Sequence, residues 1–121
     1  MTPRDPALAR HLPASVAKAF DNLSVGVTPP YPEALCLAKV WAVKLYGEVK
    51  AQEKVWIPPH ITVQGGGDVV FEWWRGRKSL SVFVSVNDAW FLQSGGTSSK
   101  QTEGGACTKD ARRAIWEWLT L

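Results

Sequence analysis

Residues 68–92 read DVVFEWWRGRKSLSVFVSVNDAWFL, and this stretch decides the fold. It contains three runs rich in β-branched and aromatic residues, each short enough to form a single strand. Gly76-Arg77 separates the first run from the second, and Asn87-Asp88 separates the second from the third. Both pairs are typical of tight turns. The stretch therefore predicts an antiparallel meander.

The first of these turns also predicts which residues face each other. If Gly76 and Arg77 are its two central residues, the facing pairs on one side of the sheet are all apolar: Trp73 with Leu80, Phe71 with Val82, and Val69 with Val84. The other side is more polar and carries Glu72, Trp74, Ser79, Ser81 and Ser85, with Val70 and Phe83 among them. This alternation predicts a half-buried sheet with helices on its apolar side.

Helical spacing of apolar residues appears before and after the meander. Ala14–Leu23 has the pattern of a short amphipathic helix that buries Phe20. The apolar pattern of residues 32–50 predicts the main helix, in which Trp41 is the principal core contact. Thr108 suits the N-cap of a last helix. Its predicted apolar face excludes Trp116 and comprises Ala111, Ala114, Ile115, Trp118 and Leu119.

Two shorter segments complete the predicted order. Ile61 and Val63 form a first strand, which three glycines at 65–67 end. Residues 94–105 are rich in Gly, Ser and Thr, and they hold either a short strand at 100–103 or an exposed loop. The predicted fold is α+β: an antiparallel β-meander of three to five strands, packed on one face by two or three helices. We expect residues 1–121 to form one domain, with 1–13 as a mobile arm.

Composition limits the classes of partner. The formal charge of +3 and pI of about 9.0 permit anionic partners without demanding nucleic acid. Seven tryptophans are too many for the core of a 121-residue chain, so one or two are expected at a contact surface. Four of them are predicted to be packing residues: Trp56, Trp90, Trp116 and Trp118.

The cysteines and the hydropathy bear on the compartment. Cys36 and Cys107 are far apart and form no CxxC pattern, and Cys36 falls inside a helical pattern, which favours a buried free thiol over a disulfide. The first residues do not resemble a secretion signal, and no apolar run is long enough to span a bilayer. We therefore expect a cytoplasmic setting and no membrane partner.

Enzymatic sites find no support in the sequence. The two histidines, His11 and His60, and the distant cysteines have no metal-ligand spacing. Phosphate-binding, dinucleotide-binding and nucleophile-elbow motifs are absent. We expect no enzyme, and hence no catalytic residues, no metal and no cofactor.

The outer side of the hairpin and its tip are the candidate interaction surface, which comprises Glu72, Trp74, Arg75, Arg77 and Lys78. Glu72 is either a solvent-facing carboxylate near a basic side chain or a polar contact at a partner interface. Aromatic and basic residues close together could stack on bases and neutralise phosphates. A solvated turn that blocks edge pairing has the same composition.

Residues 22–92 resemble a widespread group of small uncharacterised bacterial α+β proteins. The matching features are a Pro-containing loop before a long helix, a proline pair before a strand, a Gly-rich turn, a strand ending in Glu-Trp, and an Arg-containing turn before an alternating strand. Here they stand at 29–32, 58–61, 66–73 and 77–82. The group carries a Trp-Asp-Gly element before the helix, where this chain has LSVGV at 23–27. The resemblance implies an antitoxin-like or accessory binding role in a two-gene or defence-type system.

Two functional hypotheses follow. The first is a small non-enzymatic module that binds another protein or a second copy of itself, motivated by surplus tryptophan. The alternative is binding of single-stranded nucleic acid through the aromatic and basic hairpin tip.

Overall fold

The computed structural model describes residues 12–23, 28–96 and 101–121, and these residues form three helices and five strands. The helices are α1 (Ala14–Leu23), α2 (Pro32–Ala51) and α3 (Lys109–Thr120). The strands are β1 (His60–Gln64), β2 (Asp68–Arg75), β3 (Lys78–Val84), β4 (Ala89–Ser94) and β5 (Thr102–Gly105). The predicted arm lies outside the described residues except for its last two positions.

The five strands form one antiparallel sheet in the order β1-β2-β3-β4-β5. The β2–β3 register is the predicted one, with Phe71 opposite Val82 at its centre. Gly76 has a φ of 60°, which the first central position of a type II′ hairpin turn requires. The predicted α+β class and the antiparallel meander are confirmed.

The glycine-rich segment after β4 contributes the last strand. β5 begins two residues later than the strand alternative at 100–103, and residues 97–100 lie outside the described part. A Cβ built on Gly104 would lie 3.1 Å from the ring of Phe91 on the neighbouring strand. The small residue therefore lets β5 approach that ring closely, which favours strand pairing over an exposed loop.

One face of the sheet is covered by the three described helices. α2 lays its alanine-rich stripe, which includes Ala34, Ala38 and Ala42, against the strands. The side chain of Trp41 fills the space beside it, 5.2 Å between ring centroids from Phe71. Phe20 of α1 meets the same Phe71 edge-on at 5.8 Å. Burial of each of these large side chains stabilises the fold by about 1.5–3 kcal/mol.

Two indole N–H groups hold connecting segments against this core. Trp41 Nε1 donates to the carbonyl of Ala106 at 2.8 Å, which joins α2 to the segment before α3. Trp73 Nε1 donates to the carbonyl of Ile57 at 2.7 Å, which fixes the segment between α2 and β1. A buried N–H left without an acceptor would cost free energy, so these contacts position the loops as well as the rings.

The predicted buried face of α3 was partly wrong. Thr108 is the N-cap, and its Oγ1 accepts from the amide of Ala111 at 3.1 Å as expected. However, Trp116 is buried and stacks on Trp56 with ring centroids 5.2 Å apart, whereas Ala114 is exposed. The buried residues of the helix are Arg112, Ile115, Trp116 and Leu119.

An ion pair joins the buried face of α3 to α2. Arg112 is 5% exposed, and its Nε and Nη2 donate to Glu48 Oε1 and Oε2 at 2.7 and 2.8 Å. Nη1 of the same residue donates to the carbonyl of Cys107 at 2.8 Å. A bidentate pair whose third guanidinium nitrogen is also hydrogen-bonded can be buried. Arg112 and Trp116 are four residues apart and share the buried face of α3.

Cys36 is exposed rather than buried, and the described structure contains both cysteines as free thiols. The buried stripe of α2 runs from Ala34 to Val49. Cys36 follows Ala34 by two residues, which places it about 200° around the helix and away from the sheet. None of the described helices is long and apolar enough to cross a membrane.

Candidate functional site

The candidate site is the face of the sheet opposite the helices, here called the open face. The helices contact the other face, where Phe71 and Trp73 of β2 meet Phe20, Trp41 and Trp116. Because side chains alternate along a strand, Val70, Glu72 and Trp74 point to the open face. None of the described helices covers it.

A row of mainly apolar side chains, here called the apolar row, crosses the open face at right angles to the strands. In the pairing register Thr62, Val70, Phe83 and Trp90 are successive neighbours on β1 to β4. The rings of Phe83 and Trp90 are stacked, 5.6 Å between centroids and 15° between planes. Val70 is only 1% exposed although it points outward. Trp90 remains 37% exposed.

A second row, parallel to the first, carries two carboxylates and is here called the acidic row. Its members in register are His60, Glu72, Ser81, Leu92 and Glu103, one from each strand. Glu103 is exposed and Glu72 half-buried. Asp68, at the start of β2, lies on the same side by strand alternation. No lysine or arginine of the described strands points to this face, so the fixed charges that these strands place on it are all negative.

Trp74 stands at the end of the face nearest the hairpin tip. Its side chain is 60% exposed, the largest exposed fraction of any tryptophan. The His60 ring lies beside it, with centroids 6.1 Å apart. With Trp90, this makes two exposed tryptophans among the seven in the chain. That they mark a contact surface stays a prediction.

The five residues predicted to form the interaction surface divide between the two sides of the sheet. Glu72 and Trp74 belong to the open face. Lys78 turns to the helix side, where its Nζ donates to the carbonyls of Trp118 at 2.7 Å and of Leu121 at 3.0 Å. A cation there satisfies backbone carbonyls at the end of α3 and opposes the negative end of its dipole.

Arg75 also lies on the helix side, and Arg77 is exposed in the turn. Arg75 lines a shallow groove of about 550 Å³ together with Glu53, Lys54, Val55, Glu117, Thr120 and Leu121. The predicted aromatic and basic cluster is therefore not assembled on one surface. The interaction roles of these residues stay predictions.

A charge network borders that groove. Glu117 accepts from Arg113 Nε at 3.1 Å and from Lys54 Nζ at 3.4 Å. These hydrogen bonds, that of Arg113 first, lower the pKa of the Glu117 carboxyl below its ordinary value. Within the described ranges no three His, Cys, Asp or Glu side chains are grouped so that they could hold a metal ion.

Sequence reasoning missed Trp90 as a surface residue, because its position depends on the β3–β4 register. The turn that sets this register is closed by the Ser85 amide donating to the Asp88 carbonyl at 2.9 Å. Asp88 Oδ1 then accepts from the amide of Ala89 at 2.8 Å. The available signal was the outward position of Val70 and Phe83, two apolar residues on a face that is otherwise polar.

Comparison of the chain with protein-family models, with curated proteins and with solved structures finds no match. The resemblance to the bacterial group consequently stays a prediction that rests on the quoted motifs.

Proposed function

We propose that this protein is a non-enzymatic binding module that recognises another protein through the open face of its sheet. The observation that carries the proposal is the exposure of Trp74 and Trp90 on a face that also holds the Phe83 ring. Exposed aromatic residues are enriched at protein interfaces because they bury large areas with few rotatable bonds.

The size of the face supports the same proposal. Five strands about 4.8 Å apart and some six residues long present an area of roughly 20 by 24 Å. With the side chains at its rim, such a surface approaches the ~800 Å² that each partner buries in a standard interface. An antitoxin-like or accessory role would use a surface of this kind. That role is implied only by the resemblance to the group of small bacterial proteins.

The alternative of single-stranded nucleic acid gains no specific observation. Stacking on Trp74 would bring a phosphate chain towards the carboxylate of Glu72, two residues away on the same face. The cations of β2 and β3 at that end, Arg75 and Lys78, point to the other side of the sheet. Phosphate binding needs lysine or arginine beside the stacking ring, and here the two are separated.

The test is affinity capture from an extract of the source organism, with bound proteins identified by mass spectrometry. We expect the wild-type chain to enrich a specific protein and the Trp74→Ser/Trp90→Ser double variant to lose it. Hydrogen exchange of the purified complex should then show protection on β3 and β4.

A matched control removes exposed apolar side chains from the other side of the molecule. Val55 is 76% exposed and Leu121 90% exposed, both beside the groove. The Val55→Ser/Leu121→Ser variant should retain the partner. Capture that survives the tryptophan changes but is lost in this control would move the binding surface to the groove and contradict the proposal.

A further inference from the structure

We propose that the partner presents a cationic amphipathic helix, which lies across the strands on the open face. This inference rests on the proposed function and adds to it the chemistry of the bound segment. It is carried by the charge and spacing of the two rows that cross the face.

The charge of the open face is opposite to that of the chain. The chain has a formal charge of +3. The open face nevertheless carries the carboxylates of Asp68, Glu72 and Glu103, and among the described strand residues no lysine or arginine lies on it. The ion pairs of the described residues join Lys54, Arg112 and Arg113 to glutamates on the helix side.

The carboxylates of Glu72 and Glu103 have no partner in these ion pairs. They stand in one register row, separated by Ser81 and Leu92, so their strands are about 14 Å apart. A protein surface with complementary charge binds such a row faster and more selectively than a neutral one. The partner is therefore expected to bring lysine or arginine to it.

The spacing of the rows fits a helix. The apolar row from Thr62 to Trp90 crosses four strands, about 14 Å. An apolar stripe from position i to i+11 of an α-helix is about 16 Å long. The acidic row lies two residues further along the strands, about 7 Å to one side, within reach of long basic side chains that flank the stripe.

The same arrangement disfavours two other occupants. A second copy packed face to face would bring the carboxylates of both copies into one interface, where like charges repel. A nucleic acid would bring phosphates to the same carboxylates, with no cation of the described strands on the face to neutralise them. A basic helix pairs its charges with the row and covers the Phe83–Trp90 stack.

The first experiment uses a fluorescent Leu/Lys amphipathic helical peptide of about 18 residues, five turns long. Its binding to the full chain is measured by anisotropy near neutral pH at low salt. A peptide in which every lysine is replaced by glutamate is the matched probe. We expect the Leu/Lys peptide to bind at least about tenfold more tightly, and to weaken as salt rises. Equal affinity for the two peptides would overturn the inference.

Charge variants locate the binding. Glu72→Gln/Glu103→Gln should weaken the Leu/Lys peptide by about three- to tenfold, the range for two exposed ion pairs. Glu33→Gln/Glu53→Gln removes the same charge away from the open face and should leave affinity within about twofold. An equal loss in both variants would mean attraction to net charge alone, and would overturn the assigned site.

The proposed function and this inference can fail separately. If Trp74→Ser/Trp90→Ser abolishes capture of the native partner while Glu72→Gln/Glu103→Gln leaves that capture unchanged, the basic partner is wrong and the binding face stands. If neither variant affects capture, both are wrong. Sedimentation velocity tests whether the chain associates with itself. A dimer that dissociates on Trp90→Ser would establish a second copy as the occupant and overturn the inference.

Discussion

The two faces of β2 are built from adjacent residues and behave differently. Trp73 is 2% exposed and Trp74 is 60% exposed. Trp73 packs against Phe71, Trp41 and Trp116 and donates its N–H to the Ile57 carbonyl at 2.7 Å. Trp74 has the His60 ring as its aromatic neighbour, with centroids 6.1 Å apart. The same residue type therefore has a packing role on one face and is available for binding on the other.

The contrast shows that the residue types of the strands alone do not determine whether a face packs against helices or is available for binding. Both faces carry aromatic residues, and both have a buried valine in β2. The helix-covered face differs because large rings meet there from several elements. The open face differs because its aromatic residues lie beside carboxylates that no described cation pairs with. Substitutions on each face test this contrast.

The largest expected effect is on the helix-covered face. Phe71→Ala should lower the free energy of unfolding by about 3–5 kcal/mol, since Phe71 is 0% exposed and leaves a cavity among three aromatic rings. Urea denaturation followed by circular dichroism measures it. Phe83→Ala on the open face should cost clearly less. Equal losses would remove the distinction between the faces.

The next largest loss of stability is expected when the ion pair between α2 and α3 is broken. Arg112→Ala should destabilise the protein by about 3 kcal/mol, because Glu48 loses both charge-assisted hydrogen bonds while still partly buried. Arg112→Met/Glu48→Met, which leaves no unpaired charge, should recover much of this loss. A double variant less stable than Arg112→Ala would show that the pair itself, and not the uncompensated charge, decides the effect.

Lys78 should have a smaller effect, although it was predicted to belong to the interaction surface. Lys78→Met removes the two hydrogen bonds at the end of α3 and the cation 5.3 Å from the Trp118 ring. We expect a loss of about 1 kcal/mol in stability, by thermal or urea unfolding, and unchanged partner capture. Lost capture at full stability would return Lys78 to the binding surface.

On the open face, stability and binding should separate. Trp74→Ser is expected to change the free energy of unfolding by less than about 0.5 kcal/mol, since the side chain is 60% exposed. The same variant combined with Trp90→Ser should abolish partner capture. A large loss of stability in Trp74→Ser would mean that this tryptophan has a packing role.

The smallest expected effect is on pH dependence. The Arg113 and Lys54 hydrogen bonds hold the pKa of Glu117 below its ordinary 4.5. A carboxyl whose folded pKa is lowered contributes stability above the unfolded pKa, and loses it as the pH falls through the folded pKa. Glu117→Gln should therefore flatten the stability profile slightly below about pH 4.5. Urea midpoints measured across acid pH will test this, with an unchanged slope counting against it.

Much of the fold follows from local pattern. The β2–β3 register depended on a two-residue turn beginning with Gly76, and Ala14–Leu23 depended on helical spacing alone. Both signals lie within a few neighbouring residues, and the structure confirms both. A strand at 100–103 was one of two alternatives for the segment that forms β5 at Thr102–Gly105, because a glycine-rich segment has little propensity of its own.

Other features depend on contacts between separate elements. Trp116 shares the buried face of α3 with Arg112, whose ion pair with Glu48 joins residues 64 positions apart. Spacing within the helix could not reveal this ion pair, although it does place Trp116 on the same face as Leu119. Trp90 was likewise misassigned, because its stack on Phe83 requires the β3–β4 register. Glu72 and Trp74 were placed correctly on the outer side since strand alternation alone decides that.

The adjacent pair Trp73 and Trp74 also makes the protein its own optical reporter. A small quencher such as iodide reaches exposed indoles and not buried ones, so it should dim Trp74 and Trp90 selectively while Trp73 and Trp41 continue to emit. A segment that covers the open face would shield the first pair and shift their emission to shorter wavelength. Occupancy of that face can thus be followed by light from the unlabelled chain, with the buried indoles as an internal standard.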